Sequence, residues 1–166
     1  MKTLKKEQIQ SLVSATANPV LQVCEIELIY KPAVKPSQRP KVDTSQEVYD
    51  LLRENWDENK IELVEEFKIM LLNRANKVIG LVSISLGGFA GTIADPKVIF
   101  SAALKAGASS LILAHNHPSG NIKPSSADIS LTQKIIAAGG FLDIAVLDHI
   151  ILTSEGYMSF ADEGRM

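Results

Sequence analysis

The stretch from Gly107 to Gly120 constrains the fold more than any other part of the chain. It contains a short apolar run, Ser110 to Ala114, with Gly107 on one side and Pro118 on the other. A run this short, bounded by residues that interrupt regular structure, predicts a buried β-strand. Two histidines stand at its C-terminal end, in the order Leu111-Ile-Leu-Ala-His115-Asn-His117-Pro-Ser-Gly120. A strand sends alternate side chains to the same face, so His115 and His117 are expected to point one way and Asn116 the other. Pro118 and Gly120 then turn the chain sharply. A loop over 116–124 leads to a helix from about Ser126 to Ala138, closed by Gly139-Gly140. Asp128, eleven positions after His117, falls in the first turn of that helix. A loop of this length can bring the helix start back over the end of the strand.

Two imidazoles and one carboxylate make three metal ligands and leave a fourth position for water. That is the donor set of a catalytic zinc rather than a closed structural one. His-x-His is a weak signal by itself, and the competing reading of the residues alone is a pair of satisfied histidines in a loop. The third histidine, His149, follows Asp148 on another apolar run. It is open to three readings: a substitute ligand, a group that orients a ligand, or a buried histidine with a backbone partner, which is the favoured one. Asn116, Ser119 and Asn121 are expected to shape the loop.

Helices and strands interleave along the rest of the chain. Thr44-Ser-Gln-Glu47 is a capping-box pattern that starts a helix from Gln46 to about Trp56, ended by Asp57-Glu-Asn-Lys60. Strands are expected over Glu66–Leu72 and Lys77–Ser85, joined as a hairpin by Asn73-Arg-Ala-Asn76. Asp95-Pro96 reads as a helix start, with the helix running to Ala106 and stopped by Gly107. Leu142 to Thr153 holds one or two further strands. This alternation argues for an α/β or α+β fold, with helices covering a mixed sheet. Residues 1–43 read differently. Val23 to Tyr30 suits a strand, and the only cysteine, Cys24, sits in it as a structural residue. Lys31-Pro-Ala-Val-Lys-Pro-Ser-Gln-Arg-Pro-Lys41 has three prolines, four basic residues and no acid, and reads as an extended loop or arm. A solvated connection is its plain interpretation, and a weak contact with nucleic-acid phosphate is the sharper one. The boundaries expected are therefore an N-terminal strand and basic arm over 1–43 and a metal-binding domain over 44–166.

Bulk properties narrow the function. At 166 residues there is room for one domain with a proper core. A net charge of -2 gives no global attraction to nucleic acid or anionic membrane. No segment approaches the ~18 uninterrupted apolar residues of a membrane span, and the N-terminus has no apolar run behind its lysines, unlike a secretory signal. One cysteine cannot form an internal disulfide, which fits a reducing cytosol. No membrane partner is expected, and the sequence is silent on oligomeric state.

The string His115-Asn-His-Pro-Ser-Gly-Asn-Ile-Lys-Pro-Ser-Ser-Ala-Asp128 resembles the metal motif of the JAB/MPN (JAMM) metalloprotease superfamily, and its wording is similar to the RadC branch. Leu72-Asn-Arg-Ala-Asn-Lys-Val-Ile79, Leu147-Asp-His-Ile-Ile151 and Tyr157-Met-Ser-Phe160 carry the same resemblance, which covers roughly residues 43 to 166. It implies a JAB/MPN-like mixed sheet with cytidine-deaminase-like layering, Zn2+ on His115, His117 and Asp128, and a peptide or protein substrate. It also implies an upstream glutamate as general base. Both Glu65 and Glu66 are available, facing opposite ways on a strand, and the RadC-like pattern selects Glu65 with Glu66 as the alternative. Ser125 matches the serine that helps to stabilise the oxyanion in that superfamily, yet it also occupies a helix N-cap position. Longer members of the RadC branch carry a helix-hairpin-helix module in front. Residues 1–43 show no such Gly-rich pattern, which weakens a DNA-repair reading.

Three functions therefore compete: a zinc metallopeptidase or isopeptidase, a nucleic-acid-associated factor, and a non-catalytic binding module of the same fold. The constellation Glu65, His115, His117, Ser125 and Asp128 favours the first. A zinc deaminase would need a Pro-Cys-x-x-Cys pair, which Cys24 alone cannot supply.

Overall fold

A computed structural model describes residues 33–88 and 91–166. The strand expected over Val23–Tyr30, Cys24 and the first two positions of the 31–41 arm lie outside the described residues. Helix α1 spans Ser45–Glu54 and is set by the capping box read from the sequence: Glu47 N–H donates to Thr44 Oγ1, and Thr44 N–H donates back to the Glu47 carboxylate. It stops two residues earlier than expected, with Asn55 as the C-cap. Strands β1 (Glu66–Leu72) and β2 (Val78–Leu86) form the hairpin. Asn73 Oδ1 holds its turn by accepting from the backbone of Ala75 at 2.9 Å and of Lys77 at 3.1 Å. Helix α2 (Pro96–Ala106) begins on Asp95, whose carboxylate caps Lys97 N–H, and ends at Gly107. Strand β3 (Ser110–Asn116), helix α3 (Ser126–Phe141), β4 (Ala145–Leu152) and β5 (Tyr157–Ser159) follow.

The strands make one mixed sheet in the order β2-β1-β3-β4-β5. β3 and β4 are parallel, joined by the α3 crossover, and the other pairs are antiparallel. β1 and β3 are buried throughout, so each face of the sheet needs its own apolar cover. Met70, Leu72, Ile112, Ala114, Ile150 and Leu152 pack with Val48 and Leu52 of α1. Phe67, Ile69, Leu71, Leu111 and Leu113 pack with Ile99, Phe100 and Ala103 of α2 and Ile135 of α3. The period-2 alternation of each strand thus sorts its residues between two cores, and the fold is α+β with the sheet between helical layers.

Three local expectations are corrected. α3 does not close at Gly139-Gly140 but runs on to Phe141, with Leu142 as its C-cap. Gly139 serves close packing: a Cβ there would lie 2.4 Å from the Ile144 carbonyl oxygen. The reversal falls instead at Asp143, in the left-handed region at φ 53°, so a single strand begins only at Ala145. β3 extends past Ala114 and includes His115 and Asn116. The described end of the 31–41 segment is not an extended arm: Pro36–Gln38 forms a 3-10 turn. Val78 N–H then donates to Pro40 O and Val42 N–H to Asn76 O, laying Pro40–Val42 along the edge of β2, and Val42 is buried in the core. Among the described residues, no helix is long and apolar enough to cross a membrane.

Candidate metal centre and its cleft

The site lies where β3 ends. Antiparallel pairing sets Phe67 opposite His115, so the start of β1 runs beside the end of β3. Parallel pairing sets Ile151 opposite His115, which brings β4 along the other side. Strand alternation places His115 on the face of Leu111 and Leu113, under α3, while Asn116 turns to the α1 face. Beyond the strand, Gly120 N–H closes a turn onto His117 O, and Gly120 adopts φ 76°, which glycine reaches without strain. The loop then delivers the first turn of α3 to the two histidines.

His115, His117 and Asp128 converge as the spacing suggested, with one ligand atom from each within 4.8 Å of the others. His115 Nε2 lies 3.0 Å from His117 Nε2 and 3.3 Å from Asp128 Oδ1, and His117 Nε2 lies 3.8 Å from Asp128 Oδ2. Tetrahedral ligands about 2.0–2.1 Å from a zinc ion are roughly 3.3 Å apart, close to the separations of His115 from His117 and from Asp128 Oδ1, so the three residues could hold one ion. The second nitrogen of His117 is committed: Nδ1 is 2.5 Å from Asn121 O, which can only accept, so Nδ1 carries the hydrogen and Nε2 presents a lone pair to the site. Burial alone would raise the Asp128 carboxyl. When His115 is protonated, its hydrogen bond and charge, with the Ser125 hydroxyl and backbone N–H, outweigh burial and hold the group well below the ordinary carboxylate range.

The structure separates the two glutamates. Glu65 lines a cleft together with His117, Asp128, Ser125, Ser119 and Lys123. Glu66 points away: it accepts from Ser83 Oγ at 2.6 Å and pairs with Lys68 at 3.4 Å, on the face where Lys68 covers Trp56. Ser125 is the N-cap of α3. Its hydroxyl accepts from Asp128 N–H at 3.2 Å and donates to Asp128 Oδ2 at 2.6 Å, so in this arrangement its hydrogen is spent on the ligand carboxylate.

Two features escaped the sequence reading. Asn116 shapes not its own loop but the approach to β1. Its Oδ1 accepts from Glu66 N–H at 2.7 Å, and its Nδ2 donates to Ile61 O at 2.7 Å and Val64 O at 2.8 Å. The backbone of Glu65 is held from the other side by Gly87 and Gly88, in two hydrogen bonds at 2.7 and 3.1 Å. The residue between the two histidines therefore fixes the segment that carries Glu65, and strand parity was the one signal that separated it from them. His149 is fully buried and its ring partners are side chains rather than backbone: His115 at 2.8 Å and Thr132 at 2.6 Å. Phe160 stacks on His149 at 4.8 Å and Phe67 on His115 at 5.9 Å.

Residues 42–165 match the profile of a family described as the RadC-like JAB domain. A UPF0758 protein of Flavobacterium johnsoniae is 52% identical over 100 residues, covering 60% of this chain and 44% of that protein. A UPF0758 protein of Rubrobacter xylanophilus is 36% identical over 163 residues, covering 96% of this chain and 68% of the relative. One from Caldanaerobacter subterraneus subsp. tengcongensis is 39% identical over 123 residues, covering 74% and 52%. The chain thus spans roughly half to two thirds of the length of these curated relatives.

Proposed function

Because the chain belongs to the RadC-like JAB domain family, we propose that it is a zinc-dependent hydrolase acting on amide bonds, as a peptidase or isopeptidase. One observation carries the reading: His115, His117 and Asp128 bring three ligand atoms close enough for one ion, and two of them, His117 and Asp128, line a cleft whose wall also includes a carboxylate outside that set, Glu65. Zinc held by His115, His117 and Asp128 would acidify a water toward neutral pH and polarise a carbonyl. Glu65 takes the proton of the attacking water and returns it to the amine as the C–N bond breaks. The Ser125 hydroxyl, on the same cleft wall, donates to the oxyanion once it turns from Asp128 Oδ2, which keeps the Ser125 N–H at 2.7 Å. The cleft, about 550 Å³ and open to solvent, admits an extended segment of a peptide or protein.

The test begins with metal content by mass spectrometry on untagged protein, beside His117→Ala. About one zinc per chain, lost in the variant, is expected. Glu65→Gln should then keep zinc and lose hydrolysis of whichever peptide the wild type cleaves. Absence of metal after zinc is offered at neutral pH would refute the reading, and full activity in Glu65→Gln would refute the role of Glu65.

A further inference from the structure

We propose that Thr132 and His149 are positioning residues: a buried relay through them fixes which nitrogen of His115 faces the metal position. This rests on His115, His117 and Asp128 being zinc ligands. The relay starts at a group that can only accept. Thr132 Oγ1 lies 2.7 Å from the backbone carbonyl oxygen of Asp128, so the one hydroxyl hydrogen of Thr132 is directed there. His149 Nδ1 lies 2.6 Å from the same Oγ1, and with that hydrogen spent, Nδ1–H must be the donor. An imidazole that is fully buried and touches no carboxylate is neutral and carries one hydrogen. Its Nε2 is then a bare acceptor. His115 Nδ1 lies 2.8 Å from it and must donate. The hydrogen of His115 is thereby held on the side away from the cleft, and the Nε2 lone pair points at His117 and Asp128.

With both imidazoles neutral, every direction in this relay follows from its neighbour, and no second assignment satisfies all three hydrogen bonds. The relay ends on the backbone of Asp128, itself a ligand residue, so it ties the ligand on β3 to the ligand on α3 by way of β4. Phe160 and Phe67 hold the two rings from their faces and offer no competing hydrogen-bond partner.

The test compares two substitutions of His149 that part size from hydrogen bonding. His149→Phe fills the space but leaves His115 Nδ1–H without an acceptor. His149→Gln restores an acceptor. Zinc affinity, measured by competition with a chromophoric chelator, should fall about 10–100-fold in the first and stay near wild type in the second. Nitrogen-15 spectra of the imidazoles in metal-free wild type should show His149 with hydrogen on Nδ1 and a bare Nε2. Equal zinc affinity in His149→Phe and wild type would overturn the proposal, as would an Nε2-protonated His149. Should His149→Phe not fold, Thr132→Val reads the relay from its other end: His149 should lose its single tautomer and zinc affinity should drop, and no change in either would overturn the proposal. A wild type that refuses zinc while His149 keeps its hydrogen on Nδ1 would sink the hydrolase reading and leave the relay standing.

Discussion

Asn116→Ala is expected to weaken the fold and to displace Glu65 while leaving His115, His117 and Asp128 in place. The side chain is fully buried and makes three hydrogen bonds, one accepted and two donated, to the backbone of 61–66. Alanine removes all three and strands Glu66 N–H and the carbonyls of Ile61 and Val64. A buried polar group left unpaired costs about 1–3 kcal/mol. Water entering the vacated space satisfies part of the loss, so we expect a destabilisation of about 3–5 kcal/mol. Set against the roughly 5–15 kcal/mol of an ordinary domain, the variant should still fold. Urea unfolding followed through Trp56 fluorescence gives the stability change, and hydrogen exchange at the Glu66 amide gives the local one. Under the proposed hydrolase function, turnover should fall further than zinc affinity, because the perturbed segment carries Glu65. A loss below about 1 kcal/mol, with the Glu66 amide as protected as in wild type, would refute the clamp. Asn116→Asp should be at least as harmful, since it keeps the acceptor for Glu66 but sets a carboxylate against two carbonyl oxygens.

Gly139→Ala and Gly140→Ala should act in opposite directions despite adjoining positions in α3. The first brings a Cβ to 2.4 Å from Ile144 O and should destabilise by about 1–3 kcal/mol. The second meets nothing within 4 Å and should stabilise by up to about 1 kcal/mol through helix propensity, with thermal melts checking both. Ser125→Ala removes the cap of α3 and a donor to Asp128, for a loss of about 0.5–2 kcal/mol in chemical denaturation, and an unchanged midpoint would contradict it. For zinc-free protein, the lowered pKa of His149 fixes the sign of a pH effect. Below about pH 6.5 the unfolded chain takes up a proton that the folded chain refuses, so stability falls with pH by up to about 1.4 kcal/mol per unit from this group. The lowered Asp128 carboxyl adds a loss of the same sign below about pH 3.9. Denaturation of His149→Gln between pH 6.5 and 5 should show a flatter slope, and an unaltered slope would count against the assignment.

What could be read from the sequence was what depends on neighbours along the chain. The caps at Thr44 and Asp95, the turn at Asn73 and the shared face of His115 and His117 follow from local geometry, and the structure has each of them. The same parity explains why Glu65 and Glu66 part company at the start of β1. What escaped was what depends on distant partners. Gly139-Gly140 reads locally as a helix stop, and only the approach of Ile144 shows why glycine stands there inside a helix. His149 has no local pattern that announces Thr132 or His115 as its partners, since they come from α3 and β3. Asn116 bonds to residues about fifty positions earlier, a distance no motif spans.

The crossover through α3 has a consequence for how the chain reaches its folded state. His115 and His117 end β3, Asp128 begins α3, and His149 returns on β4, while Glu65 is brought alongside by pairing β1 to β3. No contiguous fragment shorter than residues 65–149 contains all of these groups. Parallel pairing of β3 with β4 must wait until the helix between them has closed its loop, and such non-local closures are among the slower steps of folding. Metal capture at full affinity should therefore be a late event, appearing only with the fourth strand. A chain caught before that step would lack His149 behind His115 and bind zinc more weakly, so the kinetics of zinc uptake would time the completion of the sheet.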